Sequence, residues 1–368
     1  MSPELTVMLV GVLTATSCAL IGVFLVLRKM AMMADAISHA ILPGLVAGYF
    51  LARGPNLLGG FLGAAAAGIL TVSLVELLNR SGRVKEDAAI GLVFPALFAF
   101  GTFLVSKYFG NVHLDTDAVL YGEIAFAPFD RLIIGRYDYG PLSLWVLGAL
   151  SLVNLVFITL FYKELKLATF DGALAATLGF SPVLIHYGLM SLVSLTTVGA
   201  FTSVGAILVV ALLIVPPATA YLLTDRLPVM IMLAVIVGAL AAVLGYLLAM
   251  ALNASISGAM ATVAGALFGM ALLLSPLHGL LAKMLRRRQQ RQQFAAEMLI
   301  VHLLNHADAP EEAAESTAGH LESDLLWTHT FADTAIRQAV RSGFVRREGD
   351  DLRLTPRGHQ QARQLVLR

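Results

Sequence analysis

A carboxylate and an imidazole lie one helical turn apart in a mainly apolar stretch, at Asp35 and His39. At a spacing of four residues the two side chains leave the same face of a helix. Ionisable groups are costly inside a bilayer and normally face a bundle interior or a water-filled path. Together they offer an oxygen and a nitrogen, a ligand set that suits Mn²⁺, Fe²⁺ or Zn²⁺. The pair therefore predicts part of a metal-translocation site.

The same pair has a second interpretation, as a packing or gating feature near the membrane interface. Asp35 lies only a few residues after Lys29, so its carboxylate can snorkel toward water. Two ligands from one chain are also too few for a closed metal site. A second copy of the chain across a dimer interface, or ligands from other membrane segments, would complete it.

The composition is that of a membrane protein. Hydrophobic residues make up 58% of the 368-residue chain, charged residues only 13%, and the mean hydropathy is +0.80. A soluble domain has about 45–50% apolar and about 25% charged residues. The net charge of +1 indicates no particular partner, and the single cysteine, Cys18, excludes an intramolecular disulfide or a thiolate metal cluster.

Apolar runs of about 17–25 residues mark membrane helices. They predict nine spans, near residues 5–27, 31–52, 57–78, 88–106, 142–162, 183–201, 204–224, 228–252 and 258–281. Residues 183–224 remain ambiguous, since one broken helix would also fit. Basic clusters in the loops favour nine spans with the N-terminus outside and the C-terminus in the cytoplasm.

Two polar segments interrupt the apolar runs. The long external connection, 107–141, contains His113, Asp115 and Asp117, which are candidates for an external mouth that concentrates cations. A solvated loop is the alternative interpretation. On the cytoplasmic side, 163–182 is too polar to span and predicts a short helix, which is either simply solvated or a docking surface for a cytoplasmic motor.

The composition changes after residue 285. We expect a transmembrane domain over 1–285, a basic linker over 286–293 and a soluble cytoplasmic domain over 294–368. In the last, helices precede two short strands around a Gly349-Asp350-Asp351 turn, and a final helix begins after Thr355-Pro356. Helices followed by a hairpin predict a small winged-helix-like α+β domain.

Residues 5–285 resemble the permease subunits of the metal-ion ABC importers, which take up zinc, manganese or iron. The similar segments follow one another in the family's order, at 28–44, 85–91, 114–123, 164–179, 204–216 and 276–279. The resemblance implies an all-α polytopic fold of about eight or nine spans, like that of type II ABC importers. It also implies that Asp35 and His39 contact the passing metal.

The resemblance further implies the partners of the chain. Its 164–179 segment resembles the coupling helix that sits in a groove of the ATPase, which involves Glu164, Phe170, Asp171, Ala175 and Gly179. The expected partners are cytoplasmic ATPase subunits, an extracytoplasmic metal-binding receptor and a second permease, which is identical or homologous. Membrane lipid is a further expected partner. No G-x-x-x-x-G-K-[ST] phosphate loop occurs in the sequence, so ATP hydrolysis is expected in a separate subunit. For this chain we expect no enzymatic activity and no permanently bound cofactor.

The metal is the cargo, and one carboxylate with one imidazole slightly favours Mn²⁺ or Fe²⁺, with Zn²⁺ remaining open. The tail resembles the winged helix of iron- and manganese-dependent repressors. From Arg286 onward, however, 12 Lys and Arg face 11 Asp and Glu, so a basic DNA-binding face is not indicated and a protein contact is favoured. Two other functions remain open: a secondary metal transporter with Asp35 and His39 as a proton relay, and a membrane-tethered metal-responsive regulator.

Overall fold

The computed structural model describes residues 2–52, 57–108, 124–134, 136–306, 317, 321, 325 and 327–367. The chain forms two compact units, Met1–Leu277 and His278–Arg368. The first is a helical membrane unit and the second a small α+β unit.

The membrane unit is built almost entirely from helices. Its helices are α1 (Pro3–Leu27), α2 (Ala31–Ala40), α3 (Leu42–Leu51), α4 (Leu57–Arg80), α5 (Glu86–Tyr108), α6 (Leu142–Leu160), α7 (Tyr162–Phe170), α8 (Gly172–Thr177), α9 (Pro182–Val204), α10 (Ala206–Leu223), α11 (Leu227–Leu252) and α12 (Ile256–Leu274). A short antiparallel hairpin, β1 (Arg131–Ile134) and β2 (Tyr137–Pro141), precedes α6.

Eight of these helices are long and apolar enough to cross a bilayer within the described ranges, namely α1, α4, α5, α6, α9, α10, α11 and α12. The pair α2 and α3 makes a ninth span if its 43° bend is accepted within one crossing. This confirms the prediction of eight or nine spans. The ambiguous stretch 183–224 forms two helices, which meet at Gly205 in a backbone conformation of positive φ (82°).

The bend between α2 and α3 has a local cause in the sequence. Pro43 occupies the second position of α3 and has no N–H to donate to the carbonyl of His39 four residues earlier. A proline ring also collides with the carbonyl at that position in a straight helix. The predicted span 31–52 is therefore divided at Ile41, directly after the Asp35–His39 turn.

Glycines allow α3 to pack closely against α4. A Cβ added to Gly44 would overlap the carbonyl oxygen of Gly63, and one added to Gly48 would overlap that of Gly59. Small residues at such contacts let the two backbones approach, which is how membrane helices gain van der Waals energy without a hydrophobic driving force. This packing positions the second half of the bent pair.

A buried polar network joins α1, α6 and α9. The amide of Asn154 donates to the carbonyl of Ser17 at 3.1 Å and to the hydroxyl of Thr196 at 2.9 Å. The hydroxyl groups of Ser17 and Ser151 are 2.6 Å apart. Because bilayer interiors offer no water to such groups, partners on neighbouring helices stabilise the contact.

The hairpin of β1 and β2 contains a charge pair. Arg131 Nε lies 2.7 Å from Asp138 Oδ2, and the Gly140 N–H donates to Asp138 Oδ1 at 2.8 Å. The Gly140 hydrogen bond, followed by Arg131, lowers the pKa of Asp138 below its usual value. The carboxylate is therefore held ionised in the turn that leads into α6.

The second unit contains α13 (Leu280–His306), α14 (His329–Arg341), the antiparallel strands β3 (Val345–Glu348) and β4 (Asp351–Leu354), and α15 (Pro356–Val366). Its own hydrophobic core includes Leu299, Ile336 and Leu352. The expected hairpin around Gly349 is present, and Thr355 caps α15 by accepting from the Gly358 N–H at 3.0 Å.

The boundary between the two units differs from the prediction in two respects. Residues 286–293, expected as a linker, lie inside the continuous helix α13. The last span also ends at Leu274 instead of near residue 281. The sequence around the boundary contains Leu, Lys, Met, Arg and Gln, which are all strong helix formers, so polarity there does not interrupt the helix.

We expect Asn154→Leu to lower the free energy of unfolding by about 1 kcal/mol, because it removes both cross-helix donors at nearly constant volume. Thermal unfolding of the detergent-solubilised protein measures the effect. Thr102→Val is the matched control, since the Thr102 hydroxyl bonds only to the Phe98 carbonyl of its own helix at 2.6 Å. Equal unfolding midpoints for the two variants would contradict a stabilising role of the network.

Candidate metal-translocation site

Asp35 and His39 lie on one face of the short helix α2. His39 Nε2 is 3.5 Å from Asp35 Oδ1. The His39 side chain is 37% exposed and the Asp35 side chain 48%. Met33, Ile37 and Ser38 are buried on the other side of the same helix. The polar pair is therefore half-buried, on a face of α2 that lies beside α5.

Aromatic rings support one side of the imidazole. The ring centroids of His39 and Phe94 are 5.8 Å apart, and those of His39 and Phe98 are 6.3 Å apart in an edge-to-face arrangement. Phe94 and Phe98 are four residues apart on α5, so one face of that helix supplies both contacts. These phenylalanines orient His39 while leaving its Nε2 beside the carboxylate of Asp35.

The site provides few ligands within this chain. No group of three or more His, Cys, Asp or Glu residues that could hold a metal ion occurs among the residues that the structure describes. The oxygen of Asp35 and the nitrogen of His39 are thus a partial ligand set for a divalent ion. A partial set suits transient contact, because a transported ion must also leave.

The connection before α2 is a tight reversal. Lys29 has a positive φ of 61°, the Met30 N–H donates to the Leu25 carbonyl at 2.9 Å, and the Lys29 N–H donates to the Val26 carbonyl at 3.1 Å. These two bonds are those of a Schellman motif at a helix C-terminus. The motif ends α1 and fixes the position at which α2 begins. It thereby also fixes the position of Asp35.

Arg28 joins this reversal to helix α7. Its Nε donates to the hydroxyl of Thr169 on α7 at 3.1 Å, and burial lowers the pKa of its guanidinium. Its Nη2 is buried without a hydrogen-bond partner in the described part of the chain. Thr169 is therefore an important acceptor for a guanidinium that has lost much of its water.

The predicted coupling segment consists of α7 and α8. Asp171 separates the two helices and caps α8 by accepting from the Leu174 N–H at 2.9 Å. Gly179, at φ 86°, ends α8 in a second Schellman motif, in which the Phe180 N–H donates to the Ala175 carbonyl at 3.0 Å. Both residues thus have clear local roles in shaping the segment.

The outer surface of this segment is apolar. Phe170 is 63% exposed, Leu174 45% and Leu178 57%, whereas Leu165 and Ala175 are buried. Glu164 is half-buried in the first turn of α7. The exposed side chains form what we call the apolar patch, defined as Phe170, Leu174 and Leu178.

Some functional candidates were missed by sequence reasoning, and others cannot be placed. Phe94, Phe98 and the Arg28–Thr169 bond carry no pattern that distinguishes them from ordinary span and loop residues. Glu76 has a detectable signal, as an acid within a span; it pairs with Arg80 of the same helix. The predicted external-mouth residues His113, Asp115 and Asp117 lie outside the described residues.

The sequence pattern of the ABC 3 transport family matches residues 4–275. The chain belongs to this family. The match covers the whole membrane unit up to the residue after α12, including α2, α7 and α8. The chain is accordingly a multi-span membrane permease of an ABC transport system, located in the bacterial cytoplasmic membrane.

Individual relatives extend this result. The chain is 48% identical to the zinc transport system membrane protein TroD of Treponema pallidum (strain Nichols) over 352 residues, 96% of each chain. It is 50% identical to the manganese transport system membrane protein MntD of Bacillus subtilis (strain 168), over 80% of this chain and 100% of that protein. A structure of PsaBC from Streptococcus pneumoniae in complex with Fab is similar at a TM-score of 0.63 and 30% identity, covering 76% of this chain and 94% of that chain.

We expect Thr169→Val to destabilise the membrane unit by about 1–3 kcal/mol, because it leaves the partly buried Arg28 guanidinium without this acceptor. Thr169→Ser, which keeps the hydroxyl, should unfold like the parent protein. Thr159→Val is a control on α6, where the hydroxyl bonds only to carbonyls of its own helix. A thermal unfolding series tests this; equal effects of the valine and serine changes at residue 169 would argue against the bond.

Proposed function

We propose that the chain is the permease of an ATP-driven importer of divalent transition-metal ions, and that Asp35 and His39 contact the ion in its path. The observation that carries the proposal is their placement, one turn apart, beside each other and partly exposed within a membrane segment. The names of the relatives TroD and MntD support the substrate class.

Two permeases, identical or homologous, enclose the path in this proposal. The exposed face of α2 supports it, since an intramembrane carboxylate and imidazole facing lipid would be costly. A second copy would bring another Asp35 and His39 to the same path and raise the ligand number to four. The mixed oxygen and nitrogen set favours Mn²⁺ or Fe²⁺, with Zn²⁺ also accommodated.

The energy comes from separate cytoplasmic ATPase subunits, and a metal-binding receptor delivers the ion from outside. The apolar patch on α7 and α8 is a suitable docking surface, because grouped Phe and Leu side chains that are exposed to solvent are typical of protein-binding sites. Arg28 and Thr169 would transmit movement of this segment to the start of α2. His113, Asp115 and Asp117 remain predicted contributors to the external mouth.

The C-terminal unit serves a protein contact or a regulatory role in this proposal, with DNA binding disfavoured. Asp333 lies 3.0 Å from Arg337 Nη1 and 3.5 Å from Arg347 Nη1, so arginines of α14 and of the hairpin are already paired with a carboxylate. A DNA-binding face would instead present uncompensated basic side chains to phosphates. The winged-helix resemblance of this unit stays a prediction.

We expect Asp35→Asn and His39→Gln each to lower metal uptake by the assembled transporter at least about tenfold, as loss of one ligand worth about 1.4 kcal/mol would do. Uptake of Mn²⁺, Fe²⁺ and Zn²⁺ into vesicles, compared at equal protein, is the measurement. Ser38→Ala is the matched control on α2, since the Ser38 hydroxyl only donates to the Ala34 carbonyl at 2.9 Å. Normal uptake of all three metals by both ligand variants would refute the assignment.

We expect Phe170→Ser and Leu174→Ser to weaken binding of the ATPase subunits at least about tenfold, because apolar anchors at an interface are each worth on the order of 1–2 kcal/mol. Co-purification and metal-stimulated ATP hydrolysis report the loss. Leu252→Ser changes a leucine of similar exposure (65%) at the end of α11, on the side that the charge pattern places outside, and should have no effect. If it weakened binding equally, the patch would not be the docking surface.

A further inference from the structure

The first turns of α13 are exposed on every side. From residue 280 to residue 290, all side chains except the partly buried Ala282 are exposed. Packing against the core of the second unit begins only later, where Arg291 stacks on Phe331 at 4.5 Å and Ala295 is buried. These turns therefore extend from the anchored part of α13 and carry their exposed side chains away from that core.

The apolar side chains of this stretch share one face. Leu280, Leu281, Met284 and Leu285 follow the i, i+1, i+4, i+5 spacing, which groups them on one side of a helix. Met284 is 62% exposed and Leu285 60%. Four large apolar side chains in water are unfavourable, and so this face requires an apolar cover.

Positive charge borders the apolar face. Lys283 and Arg286 project from the opposite side of the helix, Arg287 lies at the edge of the apolar face beside Leu280, and Arg288 lies in line with that face one turn after Met284. No Asp or Glu occurs between Leu280 and Ala296 in the sequence. The cover must therefore combine an apolar layer with negative charges beside it.

A bilayer surface with anionic lipids has both properties. A helix with a basic polar face and Leu on the other lies in the headgroup region of such membranes. Five residues, 275–279, separate Leu280 from the end of the last candidate span at Leu274, and a chain of that length reaches about 20 Å at most. The basic stretch thus begins within reach of the membrane face where α12 ends.

We propose that residues 280–290 form an amphipathic membrane-surface helix that binds anionic phospholipid headgroups through Lys283 and Arg286–Arg288. Leu280, Leu281, Met284 and Leu285 enter the boundary between headgroups and acyl chains. Arginine suits the phosphate groups, because its planar guanidinium donates two parallel hydrogen bonds to phosphate oxygens.

The test uses the full-length protein in lipid nanodiscs with and without phosphatidylglycerol in a phosphatidylcholine background. A bimane label is attached to Met284→Cys, and Cys18 does not compete because it is fully buried. We expect brominated acyl chains to quench the label more strongly in the phosphatidylglycerol discs, and high salt to reduce the difference. The label on Gln290→Cys, which faces away from the apolar side, should be quenched weakly in both.

Charge variants separate lipid binding from other covers. The triple change Arg286→Gln, Arg287→Gln and Arg288→Gln should reduce quenching at residue 284 by at least about half in the anionic discs. The matched triple change is Arg353→Gln, Arg357→Gln and Arg363→Gln in the second unit, which should leave quenching unchanged.

Three outcomes would overturn the proposal. Equal quenching at residues 284 and 290 would exclude an inserted apolar face. Equal quenching with and without phosphatidylglycerol would exclude recognition of anionic headgroups. Protection of residue 284 from the aqueous quencher iodide, without bromolipid quenching and dependent on protein concentration, would assign the face to a second copy of the chain instead.

Discussion

The lack of water inside the bilayer is the constraint on which the rest of this structure depends. Several hydroxyl groups in the spans donate to carbonyls of their own helix, as Thr14 and Thr71 do at 2.8 and 2.7 Å, and the side-chain amide of Asn154 bridges helices. Asp35 and His39 differ from these groups, because both are ionisable, only half-buried and adjacent to each other. Their position within a membrane segment motivates the proposal that they contact a polar cargo.

The position of that pair is set by backbone chemistry at both ends of α2. Before the helix, the Schellman motif at Lys29 reverses the chain; after it, Pro43 cannot bond to the His39 carbonyl and bends the span. The flanking elements differ in rigidity. On one side α3 is seated on α4 by glycine contacts, whereas on the other Arg28 is joined to α7 by one hydrogen bond. The Asp35 end of α2 is therefore the end that follows the Arg28–Thr169 contact with α7.

Much of this architecture follows from the sequence, because span length and charge bias are consequences of the bilayer itself. The spans, the terminal hairpin and the Thr355 cap were predicted on local grounds and are present. The placement of Asp35 and His39 on one face followed from helix periodicity. Contacts distant in sequence could not be predicted in this way: Thr169 meets Arg28 across 141 residues, and the Phe94 and Phe98 rings meet His39 only through packing of α5 on α2. Polarity also misled at 286–293, where charged helix formers continue α13.

The two units are separate both in structure and in their similarity to relatives. The family match ends at residue 275. The alignment with MntD includes all of that protein but only 80% of this chain, so a transport unit exists in the family without a tail of this length. The tail has its own core and its charges are nearly balanced, yet its first helix starts with a strongly basic surface. Since α13 continues without a break from that surface to the core residues Leu299 and Ile300, anything that binds the basic turns also sets the orientation of the core. A lipid-bound α13 would thus present the remainder of the unit in one orientation to its partner, which is a requirement for regulation through a protein contact.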